Sequence, residues 1–162
     1  MTETITRILV PVDFSPHADR AVRYAATLAR RLGAKLALLH VVEDPFLTGA
    51  WTSEIYVPNV PELLKNLVGA AERQLVTLKE SAAAMGLTAE TTVTTGRPSQ
   101  TIVDHAKDGA FDLIVMGTHG RTGLSHVVMG SIAERVVRKA PCPVLTVKAA
   151  GATEANARSA AA

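Results

Sequence analysis

Phe111-Asp-Leu-Ile-Val-Met116 is followed directly by Gly117-Thr-His-Gly120-Arg-Thr-Gly123-Leu-Ser-His-Val-Val-Met-Gly130-Ser131. The first six residues are mostly apolar, which is typical of a buried β-strand. The glycines of the second part predict an irregular loop, because glycine adopts the left-handed backbone conformations that tight turns need. Beyond Ser131, apolar residues return at helical spacing, so the stretch predicts a strand, a loop and a helix in succession.

The same succession recurs along the chain. Short apolar or Thr- and Val-rich runs predict strands over residues 5–12, 36–42, 88–95, 111–116 and 143–147. Helical spacing predicts helices over residues 16–32, 61–85, 98–109 and from 131 onward, the first with Ser15 as N-cap and Gly33 as C-cap. Strands that alternate with helices form parallel sheets with right-handed crossovers. We therefore predict an α/β fold: a single-domain, doubly wound, five-stranded parallel sheet with helices on both faces, which is Rossmann-like.

Composition limits the classes of protein that this chain can belong to. Its 162 residues suit one domain, and a 48% hydrophobic fraction excludes intrinsic disorder. We expect the domain to span residues 1–148 and the Ala-rich residues 149–162 to form a disordered tail, since they carry no large apolar side chain. The 17 basic and 15 acidic residues leave a net charge of +2, and the basic residues are dispersed, so we expect no binding of nucleic acid.

The cysteine content and the hydrophobic runs indicate the compartment. A single cysteine, Cys142, excludes an intramolecular disulfide and suits a reducing cytosol. The first residues lack the basic-then-apolar order of a signal peptide, and the richest apolar run, residues 36–42, is too short to span a bilayer. We therefore expect a cytoplasmic protein that does not bind membranes.

The predicted topology indicates where a ligand would bind. In doubly wound folds, ligands bind beyond the carboxyl ends of the strands, where the winding of the sheet reverses. Here these are the segments after Val12, Val42, Thr95 and Met116. The last of them contains the glycine loop, whose spacing is G-x2-G-x9-G-S. Glycines allow close approach of a ligand, and the free N–H groups of a helix N-terminus attract anions, so the loop predicts a phosphate site.

Arg121 can add a charge-assisted hydrogen bond to such a phosphate. The lysine of a Walker A loop is absent from this segment, which excludes a P-loop ATPase site.

With its flanking segments, the loop resembles the universal stress protein family, in the branch whose members bind ATP. The resemblance is carried by the loop itself, Phe111–Met116 before it, Ala133–Val137 and Pro141–Leu145 after it, and Ile8–Ser15 and Leu38–Val42 near the start. It covers roughly residues 4 to 148 and implies an adenine nucleotide alpha hydrolase-like fold.

Position by position, the resemblance implies an ATP site. Asp13 would contact the ribose or adenosine end, Pro11 and Val12 would line the base, and Val41 would bond adenine through its backbone. The ribose and phosphates would be held by Met116, Gly117, Thr118, His119, Gly120, Arg121, Thr122, Gly123, Gly130, Ser131 and Ile132. Mg²⁺ or Mn²⁺ would be bound through the phosphates, without protein residues as its main ligands.

The resemblance also implies a homodimer that pairs the last strand, residues 143–147, with its twin. We expect a nucleotide-dependent regulator of the stress response that acts through an unidentified protein partner. The sequence offers no catalytic residue, and whether slow ATP hydrolysis or autophosphorylation occurs stays open. The alternatives are a nucleotide-free interaction scaffold of the same family and an enzyme of adenylyl transfer. The signatures of the latter are absent from the sequence.

Several residues also fit simpler structural roles. Asp13 could serve only in a turn or a helix cap, and Ser131-Ile-Ala-Glu134 has the form of a capping box that would make Ser131 an N-cap. His119 and His126 suit phosphate contact and a solvated loop equally. For the irregular residues 43–60 three interpretations remain: a cover over the nucleotide, part of the dimer contact, or disorder.

Overall fold

A computed structural model describes residues 4–44, 47, 59–118 and 129–148. The strands of this part of the chain are β1 Arg7–Pro11, β2 Lys35–Glu43, β3 Ala89–Gly96, β4 Leu113–Gly117 and β5 Val144–Val147. Its helices are α1 Pro16–Leu32, α2 Val60–Ala84, α3 Pro98–Asp108 and α4 Ser131–Lys139.

The five strands form one sheet in the order β3-β2-β1-β4-β5, and all of its pairs are parallel. The predicted doubly wound fold is therefore confirmed. Successive strands step one way from β1 to β3 and the other way from β4 to β5, so the winding reverses between β1 and β4. The carboxyl ends of these two central strands consequently face a crevice between the connections that follow them.

Helices cover both faces of the sheet. Alternation along β1 sends Ile8 and Val10 to the face covered by α1 and α2, and Leu9 to the face covered by α3 and α4. The core is aliphatic, with Phe111 as the only aromatic side chain among the buried apolar residues that the structure describes. Because the central strands are buried on both faces, they read as continuous apolar runs in the sequence.

Local sequence signals set the ends of α1. The Ser15 hydroxyl oxygen accepts a hydrogen bond from the Ala18 N–H at 3.2 Å, and Pro16 occupies the first turn. Gly33 ends the helix in the left-handed conformation (φ 66°), where its N–H donates to the Ala29 carbonyl. Both predicted caps are confirmed.

Two strands begin two residues later than predicted, and the last strand, predicted over 143–147, begins one residue later, at Val144. The predicted strand over 5–12 comprises Arg7–Pro11. At its start, the N–H groups of Thr6 and Arg7 both donate to the Asp112 carboxylate instead of to a neighbouring strand. The predicted strand over 111–116 begins only at Leu113. The centroid of the Phe111 ring lies 4.7 Å from the Arg7 guanidinium. The ring therefore packs against Arg7 at the amino end of the strands.

Other predictions fall outside the described residues. These are the tail over 149–162, most of the irregular segment over 43–60 and the central part of the glycine loop. Within the described part of the chain, no helix has the length and apolar character needed to cross a bilayer.

Candidate functional site

A cleft of about 660 Å³ opens at the carboxyl edge of the sheet. The ends of β1, β2 and β4 form its floor, and α2, α3 and the first turn of α4 form its walls. Ten of the residues predicted for the site line this one cleft: Pro11, Val12, Asp13, Val41, Met116, Gly117, Thr118, Gly130, Ser131 and Ile132. His119, Gly120, Arg121, Thr122 and Gly123 lie outside the described residues, as does His126.

The turn between β1 and α1 presents Asp13 to the cleft. The Asp13 carboxylate accepts a hydrogen bond from the Ser15 N–H at 3.0 Å, so the aspartate closes a turn over Phe14. Phe14 itself has a φ of 62°, a left-handed conformation that is strained for a residue with a bulky side chain. Asp13 therefore has the simple turn role, and it also lines the cleft, while Ser15 supplies the helix cap.

His40 lies beneath this turn in the floor of the cleft. The residue is only 6% exposed, and its side-chain Nδ1 lies 2.7 Å from the Val12 carbonyl oxygen. Since a carbonyl oxygen only accepts, Nδ1 carries the proton and donates it to this bond. The Phe14 ring packs against the imidazole with a centroid separation of 4.4 Å. The end of β1 is thus bound to β2 through a side chain.

The backbone of Val41 faces the cleft because β1 stops before it. The Val12 N–H donates to the Leu39 carbonyl at 2.8 Å, so Leu39 directs its peptide groups towards β1. Peptide groups alternate in direction along a strand, and Val41, two residues on, directs its N–H and C=O to the same side. At that level β1 has already ended, and Val41 lines the cleft. One donor and one acceptor are therefore presented side by side.

Gly117 has a structural reason to be glycine. A Cβ at this position would lie 3.1 Å from the His17 Cβ and 3.2 Å from the His17 carbonyl carbon and oxygen. The end of β4 thus runs against the first turn of α1, and a side chain would push the two apart. This packing requirement accounts for the residue whether or not a ligand binds there.

The start of α4 corrects the capping-box interpretation of Ser131. The N-cap is Gly130, whose N–H donates to the Thr118 carbonyl at 2.6 Å and so fixes the helix start to the end of β4. Ser131 is the first helical residue, with an exposed side chain. Glycine has no side chain to cap the first-turn N–H groups, and those groups lie at the cleft.

Sequence reasoning missed several residues that line the cleft. They are Phe14, Ala18, Leu39, His40, Val42, Glu43, Leu67, Ala70, Ala71, Gln74, Pro98, Ile102 and Ala133. A histidine within the apolar run over 36–42 was a visible signal for His40. For the α2 residues no local signal exists, because only the crossover geometry brings that helix over the end of β2.

Groups with other chemistry lie away from the cleft or do not cluster. Cys142 is half-buried among the apolar residues beneath α3 and α4, where burial and the nearby Asp112 carboxylate raise the pKa of its thiol. A raised pKa disfavours the thiolate, as expected for a packing residue rather than a nucleophile. Across the described ranges, no three His, Cys, Asp or Glu side chains are grouped to hold a metal ion.

Comparison with known proteins identifies the family. The model of the universal stress protein family matches residues 4–148 of this chain. A universal stress protein of Bacillus subtilis is 34% identical over 145 residues, which cover 88% of this chain and 98% of that protein. The chain belongs to the universal stress protein family.

Solved structures of family members share the fold. The structure of the hypothetical protein MJ0577, a universal stress protein of Methanocaldococcus jannaschii, superposes with a TM-score of 0.79 at 28% identity, covering 92% of this chain and 99% of that one. A universal stress protein in complex with cAMP has a TM-score of 0.63 at 25% identity, covering 91% and 99%. One from Archaeoglobus fulgidus in complex with dAMP has a TM-score of 0.60 at 26% identity, covering 90% and 99%. Some structural neighbours thus bind adenine nucleotides.

Proposed function

We propose that this chain binds ATP in the cleft at the carboxyl edge of the sheet and acts as a homodimeric, nucleotide-dependent regulator of the stress response in the cytoplasm. The main support for this proposal is the position of the first turn of α4. Its first-turn N–H groups follow a glycine N-cap and face the cleft where the winding of the sheet reverses. The complexes of two family members with cAMP and dAMP support an adenine nucleotide as the ligand.

The base end of the ligand fits the floor of the cleft. Adenine offers a ring nitrogen acceptor beside an amino-group donor, which is the complement of the N–H and C=O that Val41 directs into the cleft. Pro11, Val12 and Met116 supply apolar surface around this pair. Asp13, held in its turn by the Ser15 N–H, is positioned to accept hydrogen bonds from ribose hydroxyls.

The phosphate end fits the start of α4. Ser131 and Ile132 carry N–H groups in the first helical turn, and the positive end of the helix macrodipole favours an anion there. The glycine-loop residues 117–123 are proposed to enclose the ribose and phosphates, with Arg121 supplying a positive charge. A bound Mg²⁺ or Mn²⁺ would neutralise phosphate charge, with phosphate oxygens and water as its main ligands.

Equilibrium titration with fluorescent ATP tests the proposal in wild type, Gly120→Val and Gly130→Val. Gly130 has φ −69° and ψ 150°, which any residue adopts, so valine there obstructs the ligand without straining the backbone. We expect micromolar binding by the wild type and at least a tenfold loss in each variant. Gly69→Ala is the matched control, because a Cβ at Gly69 meets only Arg73 Nη1, at 3.6 Å. Absence of wild-type binding would remove the site.

Extraction of freshly purified protein separates the proposal from the scaffold alternative. Co-purified adenine nucleotide, identified by mass spectrometry, supports the binding function. Protein that carries none and also fails to take up ATP would behave as a scaffold, in which glycines such as Gly117 serve packing alone.

The homodimer is proposed to form through β5, which is an edge strand of the sheet. Pro143 and Val147 both direct their carbonyls towards β4, where they accept from Ile114 and Thr118. By alternation, the peptide groups of Val144 and Thr146 point to the open edge. Such an edge is available to pair with a second copy.

This alternation gives a selective test of the dimer. Thr146→Pro removes an N–H from the open edge and leaves the β4–β5 hydrogen bonds in place. In sedimentation velocity, we expect a wild-type dimer and a Thr146→Pro monomer, with Thr146→Val as the dimeric control. A wild type that sediments as a monomer would contradict the proposal.

A further inference from the structure

The end of β1 is held by two bonds of different kinds. The Val12 N–H donates to the Leu39 carbonyl as the next step of the parallel ladder would require. The Val12 carbonyl, by contrast, accepts from a side chain, the Nδ1–H of His40, at 2.7 Å. Backbone pairing between β1 and β2 therefore includes the N–H of Val12 but not its carbonyl.

An uninterrupted ladder would use this carbonyl differently. In a parallel pair, a residue whose N–H donates to residue j of its neighbour accepts at its C=O from the N–H of residue j+2. For Val12 that donor would be the N–H of Val41, two residues beyond Leu39. Among the backbone hydrogen bonds of the described residues, none joins Val41 to Val12.

Two features hold the imidazole in this position. His40 is 6% exposed, so little water competes for its bond to Val12. The Phe14 ring covers it at 4.4 Å, and Phe14 adopts a strained left-handed conformation (φ 62°) in doing so. Strain of this kind persists only where the surrounding structure enforces it, commonly at binding sites.

We propose that His40 is a positioning residue that reserves the Val41 N–H for the nucleotide base. By donating to the Val12 carbonyl, its imidazole takes the place of the Val41 N–H in the ladder and keeps the end of β1 from closing over it. Val41 then presents a free donor and a free acceptor to the cleft. This inference rests on the proposed binding of an adenine nucleotide and assigns the base selectivity of that site to a residue beneath it.

The selectivity follows from the hydrogen-bond pattern of the base. Adenine places its N1 acceptor beside its N6 amino donor, whereas hypoxanthine places an N1–H donor beside an O6 acceptor. A fixed N–H and C=O pair satisfies the first pattern and opposes the second. Buried polar groups left unpaired are what make a site reject the wrong analogue. ATP and ITP differ only at N1 and at the group on C6. The ratio of their affinities therefore reports whether the Val41 N–H and C=O are both available to the base.

The test compares ATP, ITP and inorganic tripolyphosphate as ligands of wild type, His40→Asn and His40→Gln. The Asn side-chain nitrogen lies as many bonds from the backbone as His Nδ1, so His40→Asn can still donate to Val12. The Gln nitrogen lies one bond further out, at the position of Nε2, and misses the carbonyl. We expect wild type and His40→Asn to prefer ATP over ITP at least tenfold, and His40→Gln to lose most of that preference while it keeps wild-type affinity for tripolyphosphate.

The results of this test distinguish a failure of nucleotide binding itself from a failure of the role proposed for His40. If wild type binds neither ATP nor tripolyphosphate, the proposed function fails. If wild type binds ATP and His40→Gln retains the full ATP preference, the role of His40 is refuted and the site stands. Equal losses of ATP and tripolyphosphate affinity in His40→Gln would indicate general damage to the fold and would overturn the positioning role. Failure of His40→Asn to retain the preference would do the same.

Discussion

The amino ends and the carboxyl ends of the strands, which form the amino edge and the carboxyl edge of the sheet, differ in how their polar groups are bonded. At the amino edge, the Asp112 carboxylate accepts from the Thr6 N–H at 2.8 Å, the Thr6 hydroxyl at 2.7 Å and the Arg7 N–H at 2.9 Å. Arg7 also lies over the Phe111 ring and 3.8 Å from Glu90. At the carboxyl edge, the strands end in a strained turn, a glycine against a helix, and a helix start without a side-chain cap.

This difference shows how one sheet separates stability from binding. At the amino edge, the Asp112 side chain satisfies the backbone N–H groups of Thr6 and Arg7. The carboxyl edge leaves Val41 and the first turn of α4 facing a cleft. Substitutions at the amino edge should therefore change folding alone, and those at the carboxyl edge should change binding as well.

Gly117→Val should destabilise the protein by about 3 kcal/mol, because its Cβ would lie 3.2 Å from backbone atoms of His17, which cannot move independently of α1. Valine favours strands, so the loss would report crowding and not backbone preference. Urea denaturation measures it. Gly69→Ala, in the middle of α2, should instead stabilise by about 0.5–1 kcal/mol. Equal stability of Gly117→Val and wild type would show that the carboxyl edge is not tightly packed.

Asp112→Ala should destabilise by about 2 kcal/mol, since three donors at the amino edge lose a charged acceptor that is partly exposed to solvent. The affinity for ATP should stay at the wild-type value. Asp108→Ala is the control, because an aspartate at the C-terminus of α3 opposes the helix macrodipole and its loss should be neutral or slightly favourable. A large drop in ATP affinity for Asp112→Ala would show that the amino edge also contributes to binding.

Phe14→Gly should be more stable than Phe14→Ala by about 1 kcal/mol. Both variants lose the ring that covers His40, but only glycine adopts a φ of 62° without strain. The difference in thermal midpoint between the two variants measures the cost of the left-handed backbone conformation at residue 14. An alanine variant as stable as the glycine variant would mean that the turn carries no strain.

The pH dependence of stability should contain a small contribution from Asp112. Hydrogen bonds from the Thr6 hydroxyl and from the Thr6 and Arg7 N–H groups hold the pKa of this carboxyl below its usual value. A lowered folded-state pKa stabilises the protein above the unfolded-state value of about 3.9, and that stabilisation is lost as the pH falls through the folded-state pKa. Wild type should therefore lose more stability than Asp112→Asn between pH 5 and pH 2, as denaturation curves would record. Parallel pH profiles would contradict this.

Sequence patterns predicted the architecture because its determinants are local. Ser15, Pro16 and Gly33 define α1, and the alternation of apolar strands with helices defines a parallel sheet wound in both directions. The ten described site residues that the family resemblance implied line one cleft, because the strand ends of a parallel sheet meet at one edge.

Features that depend on register or on packing between elements were not predicted. The contact of His40 with Val12 requires the alignment of β1 on β2 across 28 residues of chain. Ser131 matched a capping pattern, yet the N-cap is Gly130, whose N–H bonds to the Thr118 carbonyl at the end of β4. The approach of α2 to the cleft through Leu67 and Gln74 depends on where a long crossover returns to the sheet.

The proposed nucleotide site is tested most simply by following backbone amides in ¹H–¹⁵N NMR spectra during titration with Mg²⁺ and ATP. We predict saturable shifts of the Val41, Ser131 and Ile132 amide resonances at the carboxyl edge, with those of Thr6 and Arg7 at the amino edge unmoved. Saturable shifts that leave the amides of Val41 and of the start of α4 unchanged would show that the nucleotide binds elsewhere.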